Sequence, residues 1–168
     1  EEDPAETIPG QEAGPYALFE PNLRVLIADD GLTNRRLLRR AFTGNFGQGW
    51  LVTEATSAEE ALTLAIETEF ALIVMDEIFA PGLEAMRGSA AIMELRAHEA
   101  QAGARRRAVV VSCTGNAGGH KECVDLKKSG ADLVWGKPMP NFTNNEMQNQ
   151  LAPYLARLAR AQPHATET

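Results

Sequence analysis

The sequence predicts an α/β fold with one five-stranded, parallel, doubly wound sheet and five helices. Short apolar runs alternate five times with segments whose apolar residues recur at helical spacing, an order typical of parallel sheets. Four of the apolar runs end in polar residues, as expected where parallel strands bring their carboxyl ends to one ligand-binding edge. A chain of 168 residues is long enough for one domain with a sizeable core.

The first strand is predicted at residues 23–28, directly before Asp29 and Asp30. A helix from about Thr33 to Phe42 is expected to follow it. Four apolar residues of that helix are predicted to form its inner face: Leu37, Leu38, Ala41 and Phe42.

The second strand is predicted at residues 51–55, and the helix after it begins with a capping box. Ser57 is the predicted N-cap, and Glu60, three residues later, is its reciprocal partner. The apolar residues of this helix recur at helical spacing: Ala58, Ala61, Leu62, Ala65 and Ile66.

The third and fourth strands are separated by a loop and a helix. The third strand, residues 71–75, is a continuous apolar run that ends at Asp76. A loop containing Pro and Gly leads to a helix predicted at residues 89–99. The fourth strand, residues 109–113, ends at Thr114.

The last two helices lie on either side of a fifth strand in the sequence. One helix follows Gly119 and is expected to end near Gly130, since glycine is a common helix stop. The strand at residues 132–136 then leads into Lys137. The final helix has an apolar stripe: Met147, Leu151, Tyr154, Leu155 and Leu158.

The net charge of −7 is unevenly distributed along the chain. Residues 1–20 contain six acidic residues and no Lys or Arg, and they are predicted to be a flexible acidic leader or linker. Residues 21–161 are the predicted domain, and residues 162–168 a disordered tail. After residue 20 there are 17 acidic and 16 basic residues, so charge gives no reason to expect direct nucleic-acid binding.

Two cysteines, Cys113 and Cys123, are too few for a disulfide framework or a zinc site. No stretch approaches the roughly 20 apolar residues of a membrane span, so no membrane contact is expected. The acidic N-terminal residues do not fit a secretory signal. These features favour a reducing, cytoplasmic location.

The polar residues at the strand ends predict a cation site. Asp29 and Asp30 repel each other unless a cation lies between them, and Asp76 is expected at the same edge of the sheet. Mg²⁺ suits this set, because it binds few protein carboxylates and completes its shell with water and phosphate oxygens. Lys137 can neutralise a phosphoryl group, and the Thr114 hydroxyl can donate a hydrogen bond to it.

Four arginines crowd the first helix: Arg35, Arg36, Arg39 and Arg40. A solvated face is the favoured interpretation of this cluster. A docking face for a protein that donates phosphate is the alternative.

Four segments together resemble the receiver domains of two-component response regulators. Residues 25–35 resemble the acidic-pair motif, with an Asn34-Arg35 ending most like receivers of hybrid histidine kinases and phosphorelays. The other segments resemble the acceptor strand, the switch-hydroxyl strand and the lysine-proline strand: residues 73–77, 112–117 and 130–138. Their order and compatible spacing carry the resemblance, which implies a flavodoxin-like sheet with strand order 2-1-3-4-5.

The resemblance also implies a role for each residue of the site. Asp76 would be the phospho-acceptor. Asp30 would bind Mg²⁺ directly, Asp29 would act partly through water, and the backbone carbonyl of Ile78 would complete the metal site together with Asp76. Lys137 would contact the phosphoryl group, before a cis peptide bond to proline. Thr114 would move to the phosphoryl group after phosphorylation.

The sequence departs from the family pattern at three places. Residues 78–87 form a longer loop than usual between Asp76 and the loop glycine, Gly88. Val134 occupies the position of a mobile Tyr or Phe, so activation is expected to change the loop at residues 115–120 more than the last strand. Gly31 replaces a commoner polar residue and is expected to loosen the turn after the acidic pair.

The function that the resemblance implies is Mg²⁺-dependent transfer of a phosphoryl group from a phosphohistidine to Asp76, which switches a protein-interaction surface. The donor would be a histidine kinase or a histidine phosphotransfer protein, and the acidic leader favours a piece of a larger hybrid kinase. The enzyme activity expected is at most self-catalysed phosphotransfer and autodephosphorylation. A degenerate receiver that binds proteins independently of phosphorylation is the alternative.

Two other classes fit the residues poorly. In a flavodoxin-like cofactor binder, Asp29 and Asp30 would repel the cofactor phosphate after the first strand. An aspartyl phosphatase usually has a second acid two residues after its nucleophile, where this chain has Ile78.

Overall fold

The computed structural model describes residues 19–47, 49–79, 85–103, 107–115 and 119–160. Most of the predicted acidic leader, residues 1–18, and the predicted tail lie outside the described residues. Within these ranges none of the helices is both long and apolar enough to cross a membrane.

The described residues form a five-stranded parallel sheet and five helices in strict alternation. The strands are β1 Arg24–Ala28, β2 Leu51–Ala55, β3 Leu72–Asp76, β4 Val109–Thr114 and β5 Leu133–Gly136. The helices are α1 Leu32–Gly44, α2 Ala58–Glu67, α3 Gly88–Gln101, α4 His120–Lys128 and α5 Glu146–Arg160. The sheet order is β2-β1-β3-β4-β5, which confirms the predicted fold class and strand order.

The register of the sheet places the predicted site residues at one edge. Asp76, the last residue of β3, lies opposite Cys113 of β4. Thr114, the last residue of β4, lies opposite Gly136 of β5, directly before Lys137. Both strands extend one residue beyond the predicted ends, so Asp76 and Thr114 belong to the sheet ladder itself.

Apolar residues cover both faces of the sheet. One core packs β1, β3 and β4 against α1 and α5, and Phe42, Trp135 and Leu151 are among its members. The other packs the same strands against α2 and α3, with Leu26 and Ile92 among its members. Burial on both faces explains why the central strands are continuous apolar runs rather than alternating ones.

Two residues that belong to the predicted apolar patterns of the helices are exposed. Leu37 of α1 and Ile66 of α2 are each 44% exposed. Ala41 and Phe42 follow Leu38 by three and four residues, so the three side chains share the inner face of α1. Leu37 lies about 100° around the helix from Leu38, beyond Ala41 and outside that face. The prediction of an inward-facing Leu37 was therefore wrong.

The predicted capping box at the start of α2 is present in altered form. Ser57 Oγ accepts a hydrogen bond from the Glu60 amide at 3.1 Å, as predicted. The Glu60 carboxylate, however, accepts from the backbone amide of Thr56 at 2.7 Å rather than from that of Ser57. The Thr56 hydroxyl also donates to this carboxylate, which explains the shift by one residue.

The residues that precede β1 pack against the end of α1. Phe19, within the segment predicted as a linker, is buried with its ring centroid 5.5 Å from that of Phe46 and 5.8 Å from that of Trp50. Phe42 contacts both Phe46 and Trp50, and the Trp50 indole donates to the Glu20 carbonyl at 3.0 Å. This aromatic cluster lies at the amino-terminal edge of the sheet, away from the predicted site.

Candidate functional site

Three carboxylates meet at the carboxyl-terminal edge of the sheet. Asp29 and Asp30 follow β1, and Asp76 ends β3, the neighbouring strand. Each offers a carboxylate oxygen, and these oxygens all lie within 4.8 Å of one another. Asp29 is 2% exposed and Asp76 is 4% exposed, whereas Asp30 faces solvent. The sequence-predicted acidic cluster is thus brought together, with one member open to solvent.

The Asp29 carboxylate is fixed by its neighbours. Its Oδ1 accepts from the Gly31 amide at 2.7 Å, and Asn34 Nδ2 donates to Oδ2 at 3.0 Å. Gly31 has φ −77°, a conformation open to any residue, but a Cβ there would be 3.0 Å from Asp29 Oδ1. Glycine therefore provides room for a tight turn, which is held by the hydrogen bond to Asp29.

Arg35 holds the backbone of the acidic pair. Its Nη1 donates to the carbonyl oxygens of Asp29 at 2.7 Å and Asp30 at 3.1 Å, and its Nε donates to Glu54 on β2 at 3.1 Å. Hydrogen bonding from Arg39 lowers the pKa of Glu54, against the effect of burial, and Arg35 adds to the lowering. Arg35 and Arg39 are thus tied to the sheet and do not belong to a freely solvated face.

Lys137 reaches two of the carboxylates. Its Nζ donates to Asp76 Oδ2 at 2.7 Å and to Asp29 Oδ2 at 3.3 Å. The Lys137–Pro138 peptide bond is cis, as the resemblance implied. Burial by itself lowers the pKa of Lys137, but hydrogen bonding to Asp76 and the charges of both aspartates outweigh it, so the pKa is raised. Lys137 therefore stays charged and balances part of the negative charge.

The Asp76 carboxyl holds its proton more tightly than an ordinary aspartate. Burial raises its pKa, and the charge of Asp29 raises it further. The hydrogen bond and charge of Lys137 and the backbone amide of Ile78 oppose this without cancelling it. The surroundings therefore do not fully compensate the negative charge of the ionised Asp76 carboxylate. A cation placed between Asp76 and the acidic pair would stabilise this ionised form.

Thr114 is buried and its hydroxyl is directed to α4. Thr114 Oγ1 donates to Glu122 Oε1 at 2.5 Å. Glu122 is in the first turn of α4, and no pattern in the sequence indicated that it would meet Thr114. Val134 is half-buried and lies opposite Ser112, two residues before Thr114. Residues 116–118 of the loop predicted to respond to activation lie outside the described residues.

Ile78 leaves the sheet two residues after Asp76. Its side chain is exposed, and its amide donates to the Asp76 carboxylate. The role of its carbonyl in a metal site stays a prediction. Residues 80–84, the centre of the lengthened loop, lie outside the described residues.

Glu77 is a buried acid beside the site, and the sequence did not reveal its structural role. It is buried directly after Asp76, and its carboxylate accepts from the Ser89 amide at 2.8 Å and the Ser89 hydroxyl at 3.0 Å. Glu77 thus caps the start of α3, where a negative charge is favourable. The Gly88 amide also donates to the Glu77 carbonyl at 3.1 Å, so the start of α3 is bound directly to the acceptor strand.

No family model and no curated protein matches this sequence. Solved structures do match it. The receiver domain of the Arabidopsis thaliana histidine kinase CKI1, complexed with Mg²⁺, is 25% identical, with a TM-score of 0.63 over 81% of this chain and 97% of that chain. The receiver domain of Saccharomyces cerevisiae Ssk1, crystallised with the histidine phosphotransfer protein Ypd1, is 20% identical, with a TM-score of 0.68 over 88% and 96%. A Methanospirillum hungatei receiver domain is 21% identical, with a TM-score of 0.65 over 83% and 98%.

Proposed function

We propose that this chain, whose fold is that of the response regulator receiver domains, accepts a phosphoryl group on Asp76 and thereby switches a protein-interaction surface. The observation that carries the proposal is the meeting of three carboxylates and one lysine at the carboxyl-terminal edge of the sheet. The proposed donor is a phosphohistidine on a histidine kinase or a histidine phosphotransfer protein.

The chemistry follows from the placement of Asp76 and Lys137. A carboxylate oxygen of Asp76 attacks phosphorus, the P–N bond to the donor imidazole breaks, and the imidazole nitrogen leaves with the electron pair and takes up a proton. The ammonium of Lys137, 2.7 Å from Asp76, is placed to neutralise charge on the transferred oxygens. Hydrolysis of the resulting acyl phosphate by water would reset the domain.

Mg²⁺ is the proposed cofactor, because the site offers clustered carboxylate oxygens, the ligands that hard cations prefer. Asp30 and Asp76 would bind it directly, Asp29 partly through water, and the Ile78 carbonyl would complete the protein ligands. When bound, Mg²⁺ would neutralise phosphoryl charge and orient the oxygens. The CKI1 receiver in complex with Mg²⁺ supports this choice of metal.

Mg²⁺ should bind weakly to the wild type and raise its melting temperature, because the cation relieves repulsion among the carboxylates. Asp30→Ala should weaken binding about tenfold, or ~1.4 kcal/mol, and more than Asp29→Ala does. Titration calorimetry and thermal unfolding with and without Mg²⁺ would measure this. A wild type that does not respond to Mg²⁺, or an unaffected Asp30 variant, would contradict the proposed site.

The outward face of α1 is the proposed docking surface for the donor. Leu32 and Leu37 are exposed there, and Arg36 and Arg40 are exposed beside them. With Arg35 drawn into the sheet edge, this face joins apolar and positive groups next to the acidic site. It suits a partner with an apolar patch bordered by acidic residues. The complex of the Ssk1 receiver with Ypd1 supports a phosphotransfer protein as the class of partner.

The proposed setting is the cytoplasm, where the domain would serve in a phosphorelay, either alone or as part of a hybrid histidine kinase. Incubation with acetyl phosphate and Mg²⁺ tests the central claim. Intact-mass measurement should show one added phosphoryl group per chain, and hydroxylamine should remove it as expected of an acyl phosphate. A chain that gains no mass under these conditions, and does not bind beryllofluoride, would instead be the phosphorylation-independent binding module.

A further inference from the structure

The buried hydroxyl of Thr114 is held by a carboxylate from the neighbouring helix. The Thr114 hydroxyl donates a hydrogen bond to Glu122 Oε1, and a carboxylate acceptor makes such a bond charge-assisted. Thr114 ends β4 and Glu122 lies in α4, so the contact joins the sheet edge to a helix across a loop. A hydroxyl has one hydrogen to donate, and in this structure it is directed to Glu122.

This contact bears on the proposed chemistry, because the same hydroxyl is the one proposed to donate to a phosphoryl oxygen on Asp76. The hydroxyl must give up the bond to Glu122 before it can donate to the phosphoryl group. Breaking this hydrogen bond costs more free energy than breaking a hydrogen bond between the hydroxyl and water, because the acceptor is a carboxylate and the hydroxyl is buried. The resting contact therefore opposes the phosphorylated arrangement.

The Glu122 carboxylate has space to turn away once the contact is broken. A groove of about 1010 Å³ runs between α3 and α4, and both Thr114 and Glu122 line it. Ile78 and Met93 are exposed at the same groove, and Lys121 offers a charge beside Glu122. The carboxylate can therefore be solvated there or pair with a cation, whereas the Thr114 hydroxyl turns toward the site.

We propose that Glu122 is a positioning residue that holds the Thr114 hydroxyl in the resting position and couples α4 to the occupancy of Asp76. This inference rests on the proposed function and deepens it. Phosphorylation would break the contact and loosen the first turn of α4. A partner with a basic group that binds Glu122 at the groove would therefore favour the occupied state of Asp76. By linkage, occupancy of Asp76 would raise the affinity for that partner by the same factor.

Beryllofluoride with Mg²⁺ serves as a stable substitute for the phosphoryl group in the test. We expect Glu122→Ala to raise the affinity for beryllofluoride about tenfold, because Thr114 then gives up no bond to Glu122 when it turns to the ligand. Glu122→Gln should have a smaller effect in the same direction, since the amide oxygen still accepts but carries no charge. Lys127→Ala, at an exposed position of α4 that does not line the groove, should leave the affinity unchanged.

The decisive comparison uses the double variant. In a Thr114→Ala background, Glu122→Ala should no longer change the affinity, because the contact through which it acts is absent. Hydrogen exchange without beryllofluoride gives a second readout. Thr114→Ala and Glu122→Ala should each speed amide exchange in the first turn of α4. The double variant should exchange there no faster than either single variant.

The outcomes separate the two proposals. A wild type that neither binds beryllofluoride nor accepts phosphate overturns the proposed function, and this inference falls with it. A wild type that does both, with Glu122→Ala no different from Lys127→Ala, overturns this inference alone. A gain in affinity that persists in the Thr114→Ala background also overturns it, because Glu122 would then act without Thr114.

Discussion

Asp76→Asn should abolish phosphate incorporation while leaving the fold intact. The amide is nearly the same size as the carboxyl and fits the same buried position, but it is a poor nucleophile toward phosphorus. Intact-mass spectra after incubation with acetyl phosphate and Mg²⁺ should show full or partial modification of the wild type and none of the variant. Glu77→Gln serves as the matched control, because it alters the adjacent carboxylate and should still be modified. Full modification of the Asp76→Asn variant would place the acceptor elsewhere.

The same substitution should change the pH dependence of stability. Because burial raises the pKa of Asp76, the contribution of this group to stability is full below the ordinary aspartate pKa and is lost as the pH rises through the raised value. Without metal, the variant should therefore unfold at a higher temperature than the wild type at neutral pH. This advantage should shrink below about pH 4, where an ordinary aspartate is protonated. A variant less stable than the wild type at neutral pH would contradict the conclusion that the ionised Asp76 carboxylate destabilises the metal-free fold.

Gly88→Ala should cause the largest loss of stability among single-methyl changes at the site. A Cβ on Gly88 would overlap the Asp76 carbonyl oxygen and would lie 2.9 Å from Met75 Cγ. The backbone carbonyl has no freedom to move aside, since Asp76 lies in the ladder between β3 and β4. We expect a loss of about 3 kcal/mol in the free energy of unfolding, measured by urea denaturation.

The matched control for this change is Gly44→Ala, at the last residue of α1. A Cβ there has no neighbour within 4 Å, and alanine favours helix, so a gain of up to ~1 kcal/mol is expected. The Gly88 variant should also accept phosphate more slowly, because its methyl group displaces the acceptor strand. A Gly88 variant with wild-type stability and phosphorylation rate would show that α3 and β3 can separate at no cost.

The fold and the three aspartates of the acidic cluster could both be predicted from the sequence. Parallel strands end at one edge, so the residues after each apolar run had to approach one another once the strands were recognised. Asp29, Asp76 and Lys137 meet for this reason. The strand ends needed correction by only one residue at Asp76 and Thr114.

The contacts between distant side chains could not be predicted in this way. Arg35 and Glu54 are separated by 19 residues, and their ion pair depends on how α1 crosses β2. The contact of Thr114 with Glu122 depends on where α4 begins after a loop rich in glycine. Glu77 gave no local signal, because it lies 12 residues before Ser89, from which its carboxylate accepts. Hydrophobic periodicity predicts one helix or strand at a time and does not predict contacts between side chains of different elements.

The aromatic cluster around Trp50 makes possible an optical test of cooperativity. Trp50 lies at the amino-terminal edge of the sheet among three phenylalanine rings, whereas Trp135 lies near the opposite edge, its indole bonded to Gln150. Both belong to the same hydrophobic core, so their fluorescence reports on two ends of one packed unit. Trp50→Phe and Trp135→Phe each leave a single emitter. Coincident urea transitions would identify one cooperative unit, and an earlier transition for Trp50 would mean that the edge around Phe19 opens independently.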